Sequence, residues 1–269
     1  MPLMWDAALQ SLLPPRAASL LAGQKLKLLL DWPSVYSAFP NLTYSTYLYA
    51  WLLVNTRTFH FTSSSLKMPK PTNPDDCMAL NPFADYFNHA DVSTCTVDLT
   101  FKGYEILADK TIQEGEEIYI SYGCHSNDFL LAEYGFILDE NKWDEISLDP
   151  FILPLLSENQ KEQLEEAGYL GKYVLDQDDV CYRTQVTLRV LCLPTSKWQS
   201  FLNGFDDEKA DVAAVNQTLK NVIQSYLDQV DKSLQRLHSL DIGLPSQRET
   251  LSRRWQQIRL LLENKMKEL

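Results

Sequence analysis

Asn81-Pro82-Phe83-Ala84-Asp85-Tyr86-Phe87-Asn88-His89 sets an Asn-His pair inside a run of aromatic residues. Asn88 brings donors and acceptors, and His89 a ring nitrogen or backbone groups that can be held in one role. Alone, the pair also fits a turn whose side chains satisfy neighbouring backbone. Downstream comes Gly115-Glu116-Glu117-Ile118-Tyr119-Ile120-Ser121-Tyr122-Gly123. Glu117 to Tyr122 reads as a strand with Ile118 and Ile120 on one face, and Glu114-Gly115 as a turn before it. A strand ending in Tyr-Gly can set a phenol at the edge of a site while glycine lets the backbone turn closely. Next is Tyr134-Gly135-Phe136, two aromatics whose faces attract cations. Taken singly, these last two elements fit a packed core as well as a cage.

Between the first two elements the pattern has period two. Thr96 to Phe101, a Lys102-Gly103 turn and Tyr104 to Ala108 predict a β-hairpin. Upstream, residues 1–60 read as helical pieces, punctuated at Pro14-Pro15 and again at Asp31-Trp32-Pro33. Tyr44, Tyr47, Leu48, Trp51 and Leu52 fall at helical spacing and predict one buried stripe. Ser63 to Asp76, with Pro69, Pro71 and Pro74, reads as a loop. After about Asp149 the chain turns helical. Ser157-Glu158-Asn159-Gln160 predicts a capping box, and Ser246-Gln247-Arg248-Glu249 a second one opening the final helix. Leu219, Val222, Ile223, Tyr226, Leu227, Val230, Leu234 and Leu237 form one apolar stripe. The short break at Gly243 and Pro245 predicts an antiparallel helix pair.

The 269 residues are 45% hydrophobic and carry a net charge of −12, enough to bury a core and too apolar for a disordered chain. Residues 76–150 hold 16 acidic and 3 basic side chains, so this segment supplies the whole excess. The acidity argues against nucleic acid, which requires lysine and arginine to displace counterions. No apolar run suits a membrane span, and no signal peptide is expected. The five cysteines form no CxxC pair, so neither a zinc cluster nor a disulfide framework is expected, and no metal is assigned. Free thiols fit a reducing compartment. The N-x-T triplets at Asn41 and Asn216 are read as chance.

Together, the order and spacing of these elements resemble the SET-domain protein-lysine methyltransferases, in the branch typified by the Rubisco large-subunit methyltransferase. Asp85, Asn88 and His89 match that branch's Asp-x-x-Asn-His. Gly115 to Gly123 match its strand ending in Tyr-Gly, and Tyr134 to Phe136 its Tyr-Gly-Phe. Trp51-Leu52-Leu53-Val54-Asn55-Thr56-Arg57-Thr58-Phe59 resembles its helix ending in Trp…Val-x-Ser-Arg-x-Phe. The resemblance implies an α+β chain: a partial SET β-fold with a helical insert, followed by an all-α C-terminal substrate-binding-like domain. It divides the chain into a SET insert region over 1–76, the C-terminal part of the SET domain over 77–140 and the helical domain over 141–269.

The same resemblance implies methyl transfer from S-adenosylmethionine to a protein lysine. Tyr122 would be the catalytic tyrosine. Asn88, His89, Tyr134, Phe136 and Arg57 would contact the cofactor. Asp85, Tyr122, Tyr134, Phe136 and Arg57 would line the lysine channel. The branch's N-terminal Gly-x-Gly loop has no counterpart here, since no two of the nine glycines are one residue apart. The sequence therefore reads as lacking the first SET segment. That keeps a second function class in view, a non-catalytic SET-derived protein-binding module, which cofactor binding discriminates. The expected partner is a protein substrate, basic enough to be steered by the acidic middle segment. A monomer in the cytoplasm or nucleus is expected.

Overall fold

The computed structural model describes residues 1–61, 77–100, 103–205 and 211–269. The expected proline-rich loop from Ser63 and the Phe101-Lys102 part of the expected turn lie outside them. By contacts the chain forms two units.

The first unit comprises residues 1–21, 126–137 and 142–269. Its helices are α1 (Ala7–Gln10), the start of α2 (Pro15–Ala38), α4 (Asn127–Glu133), α5 (Asp149–Ile152), α6 (Glu158–Glu166), α7 (Tyr182–Cys192), α8 (Thr195–Leu202), α9 (Val212–Ser239) and α10 (Pro245–Glu268). The expected stripe on α9 is buried at Leu219, Val222, Ile223, Tyr226, Val230, Leu234 and Leu237. Each such side chain contributes roughly 1.5–3 kcal/mol on leaving water. α9 and α10 run antiparallel: Arg259 of α10 pairs with Asp231 of α9, and Arg248, in the first turn of α10, pairs with Asp241 in the short connection. The box at Ser157 is present, closed by Gln160. The second expected box is displaced. α10 starts at Pro245, whose fixed φ suits the first helical position, and Gln247 Oε1 accepts from the Leu244 N–H at 2.9 Å, leaving Ser246 inside the first turn. Two short strands also sit among these helices, β7 (Glu145–Ser147) antiparallel to β8 (Val174–Asp176).

Two buried contacts tie distant parts of this unit. Trp255 Nε1 donates to the Leu12 carbonyl at 2.8 Å. Arg254, fully buried, lies 2.6 Å from Asp128 and 2.6 Å from Asp144. Burial alone would lower the guanidinium's proton affinity; the two carboxylates more than offset this and keep it charged.

The second unit comprises residues 22–125 and 138–141. α2 continues into it without a break at Pro33. Pro33 has no N–H for the Leu29 carbonyl, and Leu29 lies on an exposed turn where water can take that bond. α3 (Tyr44–Arg57) is capped by the Thr43 hydroxyl. Its expected stripe is buried only at Tyr47, while Tyr44 stays exposed beside Trp32. Short strands follow: β1 (Thr58–His60) antiparallel to β2 (Met78–Leu80), and the hairpin β4 (Cys95–Thr100) with β5 (Gly103–Ala108). β3 (Asn88–His89) runs parallel to β6 (Tyr119–Ile120). The expected strand from Glu117 to Tyr122 is thus shortened to two residues, because β3 offers only two to pair with. Ile120 is buried and Ile118 exposed. Among the described residues no helix is long and apolar enough to cross a membrane, and no group of three or more His, Cys, Asp or Glu could hold a metal ion. All five cysteines are free.

Candidate active site

Asn81 shapes the approach to β3. Its carbonyl accepts from the Asp85 N–H at 3.1 Å and its side chain from the Ala84 N–H at 3.2 Å. The resulting single turn over Ala84–Tyr86 buries Ala84 and turns Asp85 toward the end of α3. There Asp85 meets Arg57 at 2.7 Å. After Phe87 the chain extends into β3, with Asn88 opposite Tyr119 and His89 opposite Ile120. Thr94 holds β6 from its other side: the Tyr119 N–H donates to the Thr94 hydroxyl at 2.9 Å.

This arrangement centres on Tyr122. Its phenol donates to the Phe87 carbonyl at 2.8 Å, and its ring stacks on His89 with centroids 5.1 Å apart. Its backbone N–H donates to His89 Nδ1 at 3.1 Å. Its carbonyl lies 3.1 Å from His125 Nε2. Burial pushes the phenol's pKa up, Asp85 pushes the same way and Arg57 opposes, so the hydroxyl keeps its proton at neutral pH. Arg57, Asp85, His89 and Tyr122 thus form one neighbourhood.

Asn88 takes a different place. It is exposed, and its side-chain amide donates to Glu117 Oε1 at 2.6 Å. Tyr119 donates to the other oxygen of Glu117 at 2.8 Å. These two hydrogen bonds hold the Glu117 carboxyl below its ordinary pKa. Tyr134 and Phe136 belong to the first unit, where they flank the end of α4 with ring centroids 6.2 Å apart. Glu117, His125 and the Phe87 carbonyl escaped the sequence reading. Glu117 could have been found: if Asn88 pairs with Tyr119, the acid two residues earlier points to the same face.

His89 must be unprotonated at Nδ1 to accept from Tyr122. Burial lowers its pKa first, the nearby His125 adds to this, and the backbone of Ile120 and Asp91 oppose. The unfolded chain therefore binds the proton more tightly. This contribution to stability is full above the unfolded value of about 6.5 and is lost as pH falls through the lower folded value. Thermal unfolding of wild type against His89→Phe across that window should show a shallower acid slope in the variant. Identical slopes would remove His89 from this role.

Residues 14–123 match the SET domain family, and residues 144–268 match the Ribosomal lysine N-methyltransferase 2 C-terminal domain. Together the two matches cover most of the chain, a SET domain followed by that C-terminal domain. It is 29% identical over 250 residues to Ribosomal lysine N-methyltransferase set11 of Schizosaccharomyces pombe, a match covering 88% of this chain and 63% of that protein. It is 26% identical over 241 residues to Ribosomal lysine N-methyltransferase 2 of Saccharomyces cerevisiae, covering 78% of this chain and 50% of that one. The chain thus spans only part of the length of these relatives. Its fold is similar to the crystal structure of the SET domain of LSMT bound to lysine and AdoHcy, with a TM-score of 0.59 at 14% identity, covering 99% of this chain and 66% of that one.

Proposed function

We propose that this chain is an S-adenosylmethionine-dependent protein-lysine N-methyltransferase of the SET type. The observation that carries the reading is the fixed, neutral phenol of Tyr122. Because its proton is committed to the Phe87 carbonyl, the lone pairs of its oxygen remain to accept. Phenol oxygen and backbone carbonyls are electron-rich acceptors, which suit a cationic sulfonium and its polarised methyl group. When bound, the cofactor supplies a methyl group already activated for transfer. The protein's contribution is then alignment. Tyr122 orients the reacting groups, and His89 holds Tyr122. Asn88 and His89, with Arg57, Tyr134 and Phe136, are assigned to cofactor contact. Asp85, Arg57, Tyr134 and Phe136 are assigned to the lysine channel with Tyr122. The incoming lysine loses its proton to solvent before attack, its ordinary pKa of about 10.4 being lowered by a desolvated channel.

Residues 1–76 are read as the SET insert region, 77–140 as the C-terminal part of the SET domain and 141–269 as the domain that selects the substrate. The names of the relatives support a ribosomal protein lysine as the target, within the cell. Such a partner is basic, and the acidic residues over 76–150 would steer it to a monomeric enzyme.

The test is methyl transfer from labelled S-adenosylmethionine to purified ribosomal proteins, beside calorimetry with the cofactor. Label on lysine and a binding heat support the reading. No heat and no thermal shift overturn it and leave a non-catalytic binding module. For steering, KM for the protein substrate should rise with ionic strength, and a salt-independent KM would dismiss it.

A further inference from the structure

We propose that His125 is a positioning residue for Tyr122, holding the phenol at the Phe87 carbonyl by pinning the Tyr122–Gly123 peptide plane. The kinetic part of this assignment rests on the methyltransferase reading, and the placement itself rests on geometry.

A carbonyl oxygen only accepts, so the 3.1 Å contact between His125 Nε2 and the Tyr122 carbonyl requires the proton on Nε2. The peptide on which this bond acts is the one most in need of fixing. Gly123 has φ +129°, a region that side chains rarely adopt, and glycine at that position frees the plane between it and Tyr122 to rotate. The imidazole closes directly over it: a Cβ built on Gly123 would lie 2.7 Å from His125 Nε2. The absent side chain is therefore what admits the histidine.

The backbone that carries the imidazole is itself held. The His125 backbone N–H donates to the Gly123 carbonyl at 3.1 Å, closing a tight turn. The His125 carbonyl accepts from Nδ2 of Asn141, a buried residue, at 2.9 Å. His89 takes the N–H of Tyr122 from the opposite side of the residue. Two imidazoles thus hold the two backbone polar groups of one tyrosine, one as acceptor and one as donor. Without the His125 bond the plane can turn, and the phenol spends less time against Phe87.

The test uses the full chain with His125→Phe, which keeps a ring and removes the donor, and His125→Gln, which restores an amide N–H. Single-turnover methyl transfer and the 13Cζ resonance of Tyr122 are both read. In His125→Phe, kcat should fall about 10-fold with KM unchanged, less than the roughly 100-fold a 1 Å misplacement can cost, because His89 still holds the Tyr122 N–H. The Tyr122 resonance should shift, and His125→Gln should recover both. Wild-type kcat with an unshifted resonance in His125→Phe would overturn the assignment. Imidazole 15N shifts of the wild-type chain give a reading that needs no variant: a proton on Nε2 of His125 at neutral pH supports it, and a proton on Nδ1 alone overturns it. If the wild-type chain transfers no methyl group, the methyltransferase reading falls, and the two resonance measurements still decide the placement of His125.

Discussion

Replacing Tyr122 with phenylalanine should lower methyl transfer about 100-fold, the usual scale for removing one oriented dipole from a reacting centre. The ring would remain, and with it the stack on His89 and both backbone contacts of residue 122. The bond to the Phe87 carbonyl would go. That loss costs about 1 kcal/mol of stability, too little to unfold a domain. Kinetics and circular dichroism of the same preparation separate the two effects. Wild-type turnover in a folded variant would remove Tyr122 from the reaction. A matching loss of fold and rate would make it a structural residue.

The largest stability effect should come from Arg254→Met, at about 3–5 kcal/mol, the range for removing one partner of a buried ion pair. The guanidinium sits between Asp128 and Asp144, and neither Arg254 nor Asp128 reaches solvent. Burial already pushes the Asp128 carboxyl up, and Arg254 opposes that push most strongly, with a smaller contribution from Arg16. Without it Asp128 would take up a proton to remain buried, or α4 would leave its place. Urea unfolding monitored at Trp255, the next residue along α10, reads the change. A second variant, Arg254→Met with Asp128→Leu and Asp144→Asn, should recover most of the loss, because no buried charge is left without its partner and the side-chain oxygen at 144 can still accept from the Asn127 N–H. A midpoint for Arg254→Met equal to wild type would show that the pairing carries no stability.

What the sequence made legible followed from local physics. The hairpin from Cys95 to Ala108 showed itself by alternation, α9 by one stripe of apolar residues, and α6 by the Ser157–Gln160 box. Pattern alone did not show how α2 passes Pro33, because a single lost hydrogen bond on an exposed turn is cheap. Nor did it show β7 and β8, whose three residues each are too few to alternate. The Arg254 cluster joins residues more than a hundred positions apart, and no spacing encodes that. In the candidate site, Asn88, His89 and Tyr122 are assigned through family resemblance. Their placement depends on partners no motif announced: Glu117 for Asn88, the Phe87 carbonyl and His125 for Tyr122.

The contacts made by α10 also bear on the order in which the chain can mature during synthesis. Leu12, near the beginning, and Asp128, near the middle, both receive their buried partners from adjacent residues, Trp255 and Arg254. A ribosome adding roughly 5–20 residues per second has made everything from Leu12 through α9 before either partner exists. Until then Asp128 must stay hydrated, and the apolar face of Leu9, Leu12 and Ala17 lacks much of its cover. The helical unit is thus completed from its last helix backward. Nascent chains arrested before residue 254 should remain open to protease around α4, and chains arrested beyond α10 should be protected there.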